Sequence, residues 1–239
     1  MNTYRKNAVM TGVLYILGTV FGVSGALIGG EVLTSLVSNK PLVGVDILSL
    51  AAANSSQLTI SAYLTFLMGI SLVTMTVFLY PVLRKASKEL AMGMVLFRGA
   101  LEGVVYFLST LTILTLVAVG NEYIAAGADS AVLQTLGNLL YQFENLKGPS
   151  SSIIFLIGAM CIYIPFYRTR LIPRWISVWG FIAVVATLAS VLLNILHADN
   201  GIGFYLEMVM FPQELVMAVW LIAKGFNSSA IAALSAKTE

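Results

Sequence analysis

Five long stretches carry no Asp, Glu, Lys or Arg: Asn7 to Gly30, Ile47 to Leu83, Gly103 to Asn121, Gly148 to Tyr167 and Trp175 to Ala198. At about 1.5 Å per helical residue, each is long enough to cross a hydrocarbon layer of about 30 Å. A soluble core has no need of runs this long. The composition agrees, with 59% hydrophobic and 10% charged residues in 239 and a mean hydropathy of +0.92. The sequence therefore predicts an all-α, polytopic membrane helix bundle of about six transmembrane helices, folded as one integral membrane domain over residues 1–239.

The small net charge of +2 is informative through its distribution. Arg5, Lys6, Arg84, Lys85, Lys88, Arg168, Arg170, Arg174, Lys224 and Lys237 fall on one predicted side, whereas the opposite loops hold Lys40 and Lys147 among five acids. The positive-inside rule then puts both termini in the cytoplasm of a multi-pass cell-membrane protein. Tyr80, Tyr167, Trp175 and Trp220 fall toward that same boundary, and Tyr123, Tyr141 and Tyr205 toward the other, as amphipathic rings prefer. Arg5 and Lys6 before an apolar run imitate a signal peptide, but the run is too long for one, and a retained first span is expected.

The first helix is expected from about Ala8 to Gly29, with Gly18, Gly22, Ala26 and Gly30 forming a small-residue stripe for close packing. A short interfacial helix over Asp46 to Ala53 precedes the second span, Gln57 to Leu83. The third runs from Glu89 to Gly120. Val132, Leu136, Leu139, Leu140, Phe143 and Leu146 recur at helical spacing, which predicts an outer amphipathic helix. Asp129 or Ser130 would cap it and Gly148 would end it. It is expected to lie on the outer surface or across the bundle mouth, where it offers a docking face for a protein partner. The fourth span is then expected from Pro149 to Tyr167, the fifth from Pro173 to Leu196, and the sixth from Gly203 to Phe226, with Pro212 interrupting its interior.

Charge inside these spans is the main functional clue, because an ionisable group at mid-membrane costs about 2.5 kcal/mol or more. Arg98 and Glu102, four apart in the third span, can share a helix face about 12 to 18 Å from the cytoplasmic boundary. Counting back from Lys224 places Glu214 about 15 Å deep, and Tyr15 of the first helix reaches a similar level. Two carboxyls facing one guanidinium cannot all ionise without repulsion, so one of them is expected to exchange a proton. Pro212 frees the carbonyl of Met208 beside Glu214, and together these suggest a binding niche for a small solute or ion. A purely structural Arg–Glu clasp that fixes helix register explains the same residues equally well.

At the outer end, His197, Asp199 and Glu207 are a candidate polar patch for a proton or an ion. They are also the raw material for a membrane enzyme acting on lipid, although ordinary solvated loop chemistry is the simpler account. Asn194 is a candidate for an interhelical hydrogen bond. Cys161 reads as packing. One histidine and one cysteine offer no metal motif, and no phosphate-binding loop, dinucleotide fingerprint or nucleophile elbow occurs. No catalytic residue, cofactor or nucleic-acid partner is expected; the bilayer is the expected partner, and an enzyme is the less favoured class.

The string Leu96-Phe97-Arg98-Gly99-Ala100-Leu101-Glu102, the run Leu171-Ile172-Pro173-Arg174 and the stretch from Glu214 to Gly225 resemble the uncharacterised membrane family catalogued as domain of unknown function 4386. The resemblance covers nearly the whole chain. It implies an integral membrane protein of a bacterium or archaeon without an established activity, and it directs attention to Arg98, Glu102, Glu214 and Trp220.

Overall fold

A computed structural model describes residues 3–37, 46–196 and 198–236, apart from the side chains of 31 and 33–37. Most of the described residues are helical, with no strand among them. Among the described residues six helical stretches are long and apolar enough to cross a membrane: Thr3–Gly30, Ser55–Leu83, Lys88–Ala125, Ala131–Thr169, Arg174–Ile195 and Ile202–Ala223. The protein is thus a multi-pass helix-bundle membrane protein. Large apolar side chains such as Leu27, Val77 and Val185 remain exposed. Hydrocarbon rather than water is the natural solvent for such a surface.

Helix α1 (Thr3–Val37) keeps its helical path as far as Gly30, whose φ of 60° and ψ of −146° break it. A side chain would be strained there, which is why glycine stands at the predicted end of the span. After α2 (Ile47–Ala53) come α3 (Ser55–Leu83), with Pro81 in its last turn, and then α4 (Lys88–Met94). A π-helical turn over Val95–Leu101 joins α4 to α5 (Glu102–Ala125). The predicted outer helix and fourth span are one continuous helix, α6 (Ala131–Thr169), so the boundary expected at Gly148 and Pro149 is absent. Proline is tolerated inside membrane helices where neighbouring groups take up the freed carbonyl. Helices α7 (Arg174–Ile195), α8 (Ile202–Glu207), α9 (Met210–Ala223) and α10 (Ser228–Ala236) complete the chain. The break between α8 and α9 falls at Met208 and Val209, and Met208 is the residue whose carbonyl Pro212 leaves without a donor.

The chain forms two compact units. One comprises Met1–Gly18, Ile70–Gly103 and Ser151–Glu239, and the other Thr19–Gly69 and Val104–Ser150. In the second, Leu48, Leu58, Ile113 and Leu116 form a buried core. Asp46 caps α2 by accepting the amides of Leu48 at 3.1 Å and Ser49 at 3.4 Å. Gly22 of the small-residue stripe packs on Met68, and Gly137 packs on Leu48, where a Cβ would lie 2.5 Å from a methyl carbon. Gln134 Nε2 donates to the Tyr123 hydroxyl at 2.5 Å. Leu133, Gly137, Leu140 and Tyr141 thus turn residues 131–146 toward the core, while Gln134, Asn138 and Gln142 stay exposed together with the outward stripe of Val132, Leu139 and Leu146.

In the first unit, Arg5 donates to the Ile222 carbonyl at 2.6 Å and to Ala223 at 3.3 Å, satisfying carbonyls at the end of α9. The amide of Asn227 donates to Leu171 at 2.9 Å, and Lys85 Nζ reaches Ser235 Oγ at 3.0 Å. These bonds hold α10, which the sequence reading did not anticipate, with Ala230 and Leu234 buried beneath it.

Candidate functional site

The π turn places Arg98. Within it the Glu102 amide bonds back to the Phe97 carbonyl, five residues earlier rather than four. This opens the helix by one residue where Arg98 and Glu102 leave the backbone. Gly99 packs there on Thr76, and Gly158 of α6 lies flat on Arg98: a Cβ on Gly158 would sit 2.8 Å from the Arg98 amide nitrogen and 2.9 Å from its Cβ. Absence of a side chain at position 158 lets α6 press against the turn.

The Arg98 guanidinium is divided between two acids. Nη1 donates to Glu102 Oε1, and Nη2 donates to Glu214 Oε1 at 2.9 Å. Its central carbon lies 4.5 Å from the Phe155 ring centroid and 5.6 Å from that of Tyr15. Both faces of aromatic rings attract cations, most strongly where water is excluded. Arg98 and Glu102 are 2% exposed and Tyr15 3%, whereas the Glu214 side chain keeps 18%. Glu214 is thus the member of the trio that reaches the surface. All four residues assigned to the central site from sequence come together in the first unit.

Helix α9 carries Glu214 at a fixed height because of its neighbours. Gln213 is fully buried, accepts the Tyr163 hydroxyl at 2.7 Å and donates to the Ile176 carbonyl at 3.1 Å, which links α9 to α6 and α7. On its other side, Gly12 of α1 approaches the Ala218 carbonyl so closely that a Cβ would lie 2.5 Å away. Phe155, Gly158, Tyr163 and Gln213 were not singled out from sequence. Gln213 could have been, as an amide in an apolar helix directly after Pro212.

The outer patch is arranged differently. Asp199 Oδ1 accepts the amides of Gly201 and Gly203, each at 2.9 Å, and so caps α8. Glu207 Oε1 accepts the hydroxyl of Ser190 at 2.8 Å. Asn194 donates to the Ser190 carbonyl of its own helix at 3.1 Å rather than across to another helix. His197 lies outside the described residues. Glu207 thus holds α8 to α7, and Asp199 closes the turn that leads into α8. Among the described residues no group of three or more His, Cys, Asp or Glu side chains could hold a metal ion.

The family model described as Domain of unknown function (DUF4386) matches residues 10–225. The chain belongs to this family. The matched span of this DUF4386 protein includes Tyr15, Arg98, Glu102 and Glu214, together with Phe155, Tyr163 and Gln213 around them. No curated protein and no solved structure matches the chain.

Proposed function

We propose that this DUF4386 protein is a cell-membrane protein with cytoplasmic termini that binds or transports a small solute or ion, using Arg98, Glu102 and Glu214 as a proton-linked centre. The observation that carries this reading is one guanidinium shared by two carboxyls, Glu102 at the end of the π turn and Glu214 in α9 just over one turn after its break from α8. With all three ionised the trio holds one excess negative charge, which a proton removes. Protonation of Glu214, the more exposed acid, removes its charge and weakens the bond from Arg98 Nη2 while the pair within the π turn persists. Helix α9 is then released on that side, with the break at Met208 and Val209 as its hinge. In support of the topology, basic residues gather at one end of the first unit: Arg5 bonds to the end of α9, Lys85 to α10, and Arg170, Arg174 and Lys224 surround one cavity.

The test is proton flux. Purified protein in liposomes loaded with a pH-sensitive dye, under an imposed potassium diffusion potential, is expected to pass protons, and Glu214→Gln to abolish that flux. Absence of flux in the parent protein, or equal flux in Glu102→Gln and Glu214→Gln, rejects the reading.

The near-complete burial of Arg98 and Glu102 favours a second reading, a non-catalytic sensor or complex subunit whose charges only fix the packing. Its partner would then dock on the outward stripe of α6. Unchanged partner recovery after Leu139→Ser and Phe143→Ser, in a protein that still folds, counts against it. Use of Asp199 and Glu207 in holding α8 leaves a lipid-acting enzyme least supported.

A further inference from the structure

A second site lies in the first unit, away from the Arg98 centre. Two sharp turns meet there. Arg170, with a φ of +57°, reverses the chain between α6 and α7, and Gly225, with a φ of +76°, does so between α9 and α10. The bond from the Asn227 amide to the Leu171 carbonyl ties the turns together. Between them is a cavity of about 510 Å³ whose wall carries Arg170, Arg174 and Lys224 and, among the described residues, no acidic one. Leu171, Trp220 and Phe226 supply apolar surface beside these cations.

Three positive charges around one hollow repel one another, and this arrangement is stable only with an anion or bulk water between them. Arg174 is partly engaged, since its Nε donates to the Tyr167 carbonyl at 3.3 Å and its guanidinium lies 5.0 Å from the Tyr167 ring. Arg170 and Lys224 make no ion pair among the described residues. Arg174 opens α7 beside the same hollow, and the start of a helix adds partial positive charge. The volume is that of a small-molecule site. Its height is that of the ends of three candidate spans, at Thr169, Arg174 and Ala223, which is the level of lipid headgroups.

We infer that this cavity binds a phosphate group, with Arg170 and Lys224 as the principal cations, Arg174 as a third, and the apolar wall receiving whatever the phosphate is esterified to. An anionic phospholipid headgroup and a soluble phosphate compound share this chemistry. The site is independent of the proton-linked centre and stands whether or not that reading holds.

The full-length protein in dodecyl maltoside micelles is titrated calorimetrically with dihexanoyl phosphatidylglycerol, dihexanoyl phosphatidylcholine and inorganic phosphate. Phosphatidylglycerol is expected to bind about tenfold more tightly than the zwitterionic lipid, and Arg170→Gln/Lys224→Gln to lose about tenfold in that affinity at unchanged melting temperature. Binding of phosphatidylglycerol alone identifies a membrane lipid, and inorganic phosphate binding as tightly identifies a soluble phosphate. Rising salt should weaken either in the parent protein. Equal affinity for the two lipids with no phosphate binding, a double variant that binds as the parent does, or binding indifferent to salt overturns the assignment.

Discussion

Arg98 Nη2 and Glu214 Oε1 stand 2.9 Å apart although 116 positions separate them in the chain. The bond fastens α9 to the π turn, and the other half of the same guanidinium is held by Glu102. Removing the cation alone strands two acids, Glu102 fully buried and Glu214 largely so. Arg98→Met is therefore expected to destabilise the protein by about 3–5 kcal/mol, the usual cost of breaking a buried pair from one side. Adding Glu102→Gln and Glu214→Gln should recover much of that loss. Thermal unfolding of the single and triple variants in one detergent checks the order, and a triple variant no more stable than the single one would contradict the charge argument.

Gly158 makes a sharper structural test because the space at that position is occupied by backbone. An added Cβ would meet the Arg98 amide nitrogen and Cβ at 2.8 and 2.9 Å, and main-chain atoms cannot swing aside as a side-chain tip can. Gly158→Ala should cost about 1–3 kcal/mol through overpacking, in spite of the better helix propensity of alanine. The same melting experiment decides it. A rise in stability would mean that α6 can back away from the π turn without loss.

These two sites differ in how readable they were. Arg98 and Glu214 announced themselves, since isolated charges in apolar runs can be assigned a depth by counting residues from a basic boundary, and equal depth suggested the contact. The break before α9 was readable too, because a proline lacks the amide that Met208 would need. The π turn was not, as no residue type encodes one extra residue in a helical turn. Gly158 offered only a missing side chain, and Phe155 and Tyr163 are indistinguishable in sequence from any aromatic residue facing lipid. Pro149 misled in the opposite direction. A proline after a glycine ordinarily separates helices in water, yet α6 runs straight through both.

Outside the membrane-spanning segments, Asp46 links α2 to pH. Partial burial pushes its carboxyl up, but the Ser49 hydroxyl at 2.6 Å and the amides of Ser49 and Leu48 outweigh that and leave it below its usual value. A carboxyl depressed in the folded state contributes stability above its unfolded pKa, near 3.9, and loses it as pH falls through the folded value. Protection of the Leu48 and Ser49 amides against hydrogen exchange should accordingly hold at neutral pH and decline below about pH 4. Asp46→Ala should remove it at every pH, at a cost of about 1 kcal/mol. Protection in that variant equal to the parent's would show that the cap does not hold α2.

Gln213 tests whether the height of Glu214 is set by its neighbour. Its amide spends its oxygen on the Tyr163 hydroxyl and its nitrogen on the Ile176 carbonyl, and no part of the side chain is exposed. Tyr163→Phe deletes the donor and leaves a buried carbonyl oxygen unmatched, a loss of about 1–3 kcal/mol. Gln213→Met removes the need for the donor but also frees the Ile176 carbonyl, so the double variant should be less destabilised than the two single losses summed. Because Glu214 is the next residue on α9, slackening this link should also alter the Arg98–Glu214 bond. The proton flux expected of the parent protein should fall in Tyr163→Phe, although residue 163 offers the proton no carboxyl. A variant with reduced stability, additive with Gln213→Met and with flux unchanged, would place Glu214 under the control of Arg98 alone.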